Sequence, residues 1–192
     1  LYNTADAIIV GNFVGKEALA SVGGSASTII NLLVGFFVGL SSGATVIISQ
    51  YYGADNRRRV SDSVHTAIAL AIAGGVVIML IGLVSARFAL TAMGTPDDIL
   101  SLSLTYMKIY YLGTIPSMIY NMGSGILRAV GDSKRPLYFL IASCLVNIAL
   151  DLLFVAVLDM GVAGAAIATI ASQFFSAILT LIALLRTQDS YR

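Results

Sequence analysis

Charged residues are so sparse along this chain that they mark the ends of its apolar segments. Between Glu17 and Asp55 lie 37 uncharged residues, and between Asp62 and Arg87 another 24. Asp98 to Arg128 encloses 29, interrupted only by Lys108; Arg135 to Asp159 encloses 23, interrupted only by Asp151. Asp159 to Arg186 encloses 26 with no charge at all. A helix needs about 20 apolar residues to cross the hydrocarbon core, so each run accommodates one span, and the first is tight for two. The apolar stretch before Glu17 is too short to cross alone and reads as the outer end of a truncated helix. No basic segment precedes it, so it does not read as a secretory signal. The pattern predicts six helices, at about 1–15, 22–52, 62–88, 97–130, 136–158 and 161–186. A membrane β-barrel would show short alternating segments instead.

Composition sharpens this into an all-α integral membrane protein. Of 192 residues, 58% are hydrophobic and 11% charged, against roughly 25% charged in soluble domains, and the mean hydropathy is +0.91. A net charge of +1 leaves no basic surface for nucleic acid. One cysteine and one histidine exclude a disulfide framework, a cysteine zinc site and a histidine-rich metal centre. The basic residues set the orientation. Arg57, Arg58 and Arg59, then Arg128, Lys134 and Arg135, then Arg186 and Arg192 fall on one side, while only Lys16 and Arg87 fall on the other. The 53–62 and 128–135 loops and the C-terminus are therefore expected in the cytoplasm.

Three charged residues fall inside spans: Asp6, Lys108 and Asp151. A charge at the bilayer centre costs roughly 2.5–3.5 kcal/mol on insertion scales, so such a residue is a functional candidate unless it merely bonds neighbouring helices together. Lys108, about ten residues into its helix, can snorkel to the interface. The aspartates share a depth. Asp6 lies about nine residues inside Gly15, Asp151 about eight inside Asp159, and Thr169 about eight past Gly161, which places all three ~12–14 Å below the outer surface. Asn147 is one turn before Asp151 and Tyr2 one turn before Asp6. Two buried carboxyls that repel when both are charged can share a proton, or hold a small cation through several oxygens. Asn31 and Asn121 could line a polar cavity or pair across helices. Pro116 is expected to kink the fourth helix, and Gly123-Ser124-Gly125 suits close helix packing. No hydrolase triad, metalloprotease, ATP-binding or redox motif is present, so this does not read as an enzyme, and any pumping would draw on an ion gradient or a partner.

Several stretches resemble one family. Tyr2-Asn3-Thr4-Ala5-Asp6 with Val10-Gly11, Gly15 and Ala18-Leu19-Ala20 resembles the first-helix signature of the multidrug and toxic compound extrusion (MATE) family. Gln50-Tyr51-Tyr52-Gly53-Ala54-Asp55-Asn56 resembles the loop after its second helix. Gly125-Ile126-Leu127-Arg128-Ala129-Val130-Gly131-Asp132 with Pro136 resembles the loop after its fourth. Asn147, Asp151, Phe154 and the run Gly161 to Thr169 resemble its fifth and sixth helices.

The resemblance implies the N-terminal lobe of a twelve-helix, two-lobed exporter of the bacterial plasma membrane. Residues 1–186 would form that lobe, and 187–192 the start of a cytoplasmic linker to a missing C-terminal lobe. It implies export of organic, often cationic, compounds in exchange for H⁺ or Na⁺, with no other cofactor. The implied ion site is Asp6, Asn147, Asp151 and Thr169, where Na⁺ would also bind; Tyr2 and Asn121 match cavity positions. The alternatives are a lipid-linked oligosaccharide flippase of the same broad superfamily, for which Lys108 is the sole basic cavity candidate, and a non-transporting membrane scaffold.

Overall fold

The computed structural model describes residues 2–186 and resolves them into eight α-helices and one π-helical segment, with no strand among the described residues. The helices are α1 (Tyr2–Phe13), α2 (Lys16–Gly23), α3 (Ser25–Gly53), α4 (Arg57–Ala92), α5 (Asp97–Leu112), α6 (Thr114–Ala129), α7 (Lys134–Asp151) and α8 (Gly161–Arg186), with the π-helical turns at Leu152–Val157 between the last two. Four stretches are long and apolar enough to cross a membrane: Lys16–Gly53, Arg57–Ala92, Lys134–Val157 and Gly161–Arg186.

Where the charge pattern predicts a loop around Lys16 and Glu17, the chain is already helical, and α2 runs into α3 with a break only at Gly24. A polar pair does not stop a helix whose next turns are Ala- and Ser-rich. The predicted 97–130 helix is two. It breaks at Gly113, three residues before Pro116, which sits in the first turn of α6. Pro cannot donate a bond back to Leu112, so its restriction is relieved by ending one helix and starting the next with Pro in the opening turn. The break is held on one side by Thr114, whose hydroxyl donates to the Tyr111 and Gly75 carbonyls at 2.7 and 3.1 Å. On the other side Gly113 packs so closely on Gln173 that a β-carbon would overlap its amide oxygen.

Helices α6 and α8 are central: α6 packs against α3, α4 and α8, while α8 also packs against α5 and α7. The glycine pair in the middle of α6 serves these contacts. A β-carbon on Gly123 would strike Thr180 of α8, and one on Gly125 would meet the Ser41 and Thr45 hydroxyls of α3. Two apolar cores result, one around Val10, Ala26, Leu90 and Ala165, the other around Phe37, Ala71, Met122 and Leu127. The outside is as greasy as the inside. Val84 is 87% exposed and Phe88 78%, which is the surface of a helix bundle solvated by lipid.

Candidate functional site

Four of the residues singled out by depth come from three helices and meet in one place. Asp6 on α1, Asn147 and Asp151 on α7, and Thr169 on α8 are all fully buried. Thr169 donates its hydroxyl to Asp6 Oδ2 at 2.7 Å. The Asn147 amide donates to Asp6 Oδ1 at 3.3 Å and to Thr169 Oγ1 at 3.4 Å. Asp6 is thus anchored by two helices that the sequence separates from it by more than a hundred residues.

Spacing alone does not single out a fifth member. Tyr106 of α5, itself fully buried, donates its hydroxyl to Asp6 Oδ2 at 2.7 Å. The signal was available, because Tyr106 lies about nine residues past Asp97, or ~13 Å into the membrane at 1.5 Å per residue, the same depth as the others. Among nine tyrosines in a membrane protein, nothing else in the sequence distinguishes it.

Asp151 differs from Asp6. Neither of its carboxyl oxygens has a hydrogen-bond donor among the described residues, and the Asn147 carbonyl oxygen has none either. The Asp151 carboxyl instead neighbours that of Asp6. The result is three buried oxygens without donors on residues one turn apart, which native interiors do not ordinarily leave uncompensated. A proton on one carboxyl would turn an acceptor pair into a donor and an acceptor. A small monovalent cation would be suited by the same all-oxygen donor set. The π-helical turns begin immediately after Asp151, with Leu158 N–H bonding back five residues to Leu153; such turns are frequently found at functional sites.

A polar cavity of about 210 Å³ is lined by Asn3, Asn31, Tyr110, Tyr120, Asn121 and Gln173 among others. Asn121 thus lines a cavity while its amide bonds the Ser117 carbonyl at 2.8 Å. Gln173, one turn beyond Thr169, joins the cavity wall to the helix face that carries the carboxyl site. The Tyr2 side chain lies outside the described residues. Lys108 is exposed and is not among the residues lining this cavity. His65 is exposed on α4, with its ring bonded to the Ser61 carbonyl.

An all-helical, multi-pass membrane protein with a buried carboxyl pair is the class these features define. The MatE family profile matches residues 1–153. The chain belongs to the MATE family. It is 33% identical over 168 residues to the probable multidrug resistance protein YpnP of Bacillus subtilis, covering 88% of this chain and 38% of that protein. It is 30% identical over 197 residues to the probable multidrug resistance protein NorM of Thermotoga maritima, covering 100% of this chain and 42% of that one. Among solved structures, a MATE crystal structure in the bent conformation superposes with a TM-score of 0.93 at 29% identity, over 100% of this chain and 42% of the other. An inward-facing MATE family multidrug transporter gives the same score at 28% identity, over 99% and 43%. The chain therefore spans about two fifths of the length of these relatives.

Proposed function

We propose that this chain is one six-crossing lobe of an ion-coupled exporter of organic compounds, often cationic, working with a second lobe. The crossings are α1 (its outer end), α2 with α3, α4, α5 with α6, α7 with its π-helical turns, and α8. The loops before α4 and α7, and the end of α8, face the cytoplasm of a bacterial cell in this reading, following the basic residues.

The observation that carries the reading is the buried, uncompensated oxygens of Asp151 and Asn147, with the Asp151 carboxyl beside that of Asp6. H⁺ or Na⁺ would bind there, with Asp6, Asn147, Asp151 and Thr169 as its ligand set and Tyr106 fixing the Asp6 carboxyl. Binding removes repulsion between the carboxyls and lets α1, α7 and α8 pack differently, which biases the lobe between two conformations. Gln173 and Asn121 put the drug cavity next to that change. Ion and drug then affect each other's affinity, because they favour different states. A flippase for lipid-linked sugars lacks support, since Lys108 is not on the cavity wall. A scaffold would have no use for unpaired buried oxygens.

The test is ion-driven drug uptake into proteoliposomes by the full-length protein. Asp151→Asn keeps the size of the side chain and removes its charge, so it should abolish gradient-driven transport while leaving some drug binding. Transport at the wild-type rate in both Asp151→Asn and Asp6→Asn would reduce the aspartates to structural glue.

A further inference from the structure

Helices α7 and α8 run side by side and leave a groove of about 290 Å³ where α7 begins and α8 ends. Its floor is Phe139 of α7 with Leu179, Ile182 and Ala183 of α8, and Arg135 and Arg186 stand over it. The spacing explains the layout. Arg135 and Phe139 lie one turn apart on α7, and Leu179, Ile182, Ala183 and Arg186 follow one face of α8. Both guanidinium groups therefore stand at the helix ends while the apolar strip continues toward the membrane interior. Asp132 braces Arg135 from the loop: its Oδ2 lies 3.0 Å from the Arg135 Nε, and its Oδ1 accepts from the Arg135 backbone N–H at 3.1 Å.

We infer that this groove is a binding site for one anionic phospholipid. The phosphate would sit between Arg135 and Arg186, and the first part of an acyl chain would lie on Phe139, Leu179 and Ile182. Guanidinium groups suit this task because their N–H forks match phosphate oxygens, and basic pockets between membrane helices are established places for anionic headgroups. A free phosphate would use only the two arginines and leave the apolar floor unexplained. The Arg57–Arg59 cluster does not line this groove. The inference stands on membrane placement and geometry, and does not depend on what the protein transports.

The full-length protein in detergent should retain dioleoyl-phosphatidylglycerol in preference to dioleoyl-phosphatidylcholine, read by native mass spectrometry and by lipid-titrated melting. Removing either charge, as Arg135→Gln or Arg186→Gln, should weaken phosphatidylglycerol about fivefold, and the double variant should show no preference. Leu179→Trp keeps both arginines and fills the floor, so it should also release the lipid; Arg87→Gln, at the opposite end, should change nothing. A phosphatidylglycerol preference that survives in the double variant overturns the site. Stabilisation reproduced in full by inorganic phosphate overturns the lipid as its occupant.

Discussion

Asp6 and Asp151 have the same side chain and the same depth, yet their surroundings assign them different tasks. Asp6 accepts from Tyr106, Thr169 and Asn147, whereas the oxygens of Asp151 have no donor among the described residues. Asp6 is held by three side chains and Asp151 by none of them, so in the proposed site Asp151 would be the member that takes up a proton or an ion. Removing Tyr106 alone should separate these roles. Tyr106→Phe deletes one buried hydrogen bond to a carboxylate and leaves the ring in the core, so the full-length protein should lose ~1.5–3 kcal/mol of stability. Ion-driven transport should slow without stopping, and a melting curve beside a proteoliposome assay checks both. Thr169→Ala should also fall short of the aspartate variants, because it removes one oxygen and no charge. The candidate residues Asp6, Asn147, Asp151 and Thr169 were legible because charge is rare in lipid and a helix converts spacing into depth. Tyr106 was not, since a tyrosine in a membrane span can equally point its hydroxyl to an interface or a neighbour.

Along the helices the deciding residues are glycines, and neighbouring ones differ sharply. Gly75 of α4 faces the backbone of α6, where a β-carbon would come within 2.9 Å of the Ile115 Cα. Its carbonyl also receives the Thr114 hydroxyl beside the α5–α6 break. Gly74 would meet only the mobile end of Met118, at 3.3 Å. Gly75→Ala should therefore push α4 and α6 apart and destabilise the protein by about 1–3 kcal/mol. Gly74→Ala should be near neutral, the added contact offset by the better helix propensity of alanine. Thermal melting of the two purified variants tests the contrast; equal effects would mean that α4 and α6 are not packed this closely. The break at Gly113 belongs to the same class of fact. Sequence alone points to Pro116 as the cause of a bend, and the packed structure sets the break at Gly113, where a β-carbon would overlap Gln173. Loop ends are more local. Helices α4 and α6 end with glycines at positive φ, Gly94 at 72° and Gly131 at 89°. In both, the N–H groups of the glycine and of the residue after it cap the last carbonyls, a closure that needs little from the rest of the fold.

For the molecule as a whole, the expected consequences concern sidedness and completeness. With Cys144 replaced by serine, a cysteine at Asp98 should react with an impermeant thiol reagent outside intact cells, and one at Asn56 should not. The opposite labelling would invert the bundle. Residues 1–192 expressed alone should insert into the membrane and confer no drug resistance, because the cavity would lack its opposite wall. Resistance in cells stripped of other exporters would show that two copies of this chain assemble into a working pump.

The membrane character of the protein and its approximate helical stretches could be read from the bare chain for one physical reason. Lipid offers backbone groups no partner, so a crossing segment must be both apolar and hydrogen-bonded within itself, and both demands are written locally. Lateral arrangement is another matter. In water, the contrast between polar and apolar positions tells a helix which face to bury. Here Val84 at 87% exposure and Ala71 at 0% belong to the same apolar run of α4, and nothing in their chemistry separates lipid from core. Close contacts through small residues, a few buried hydroxyls and one carboxyl cluster choose the faces instead. That choice brings Tyr106 to Asp6, leaves the Asp151 oxygens without a donor among the described residues, sets a helix break at Gly113 and opens a groove beside Arg135 and Arg186. Each depends on contacts between residues far apart in the chain, which is information that only the packed bundle contains.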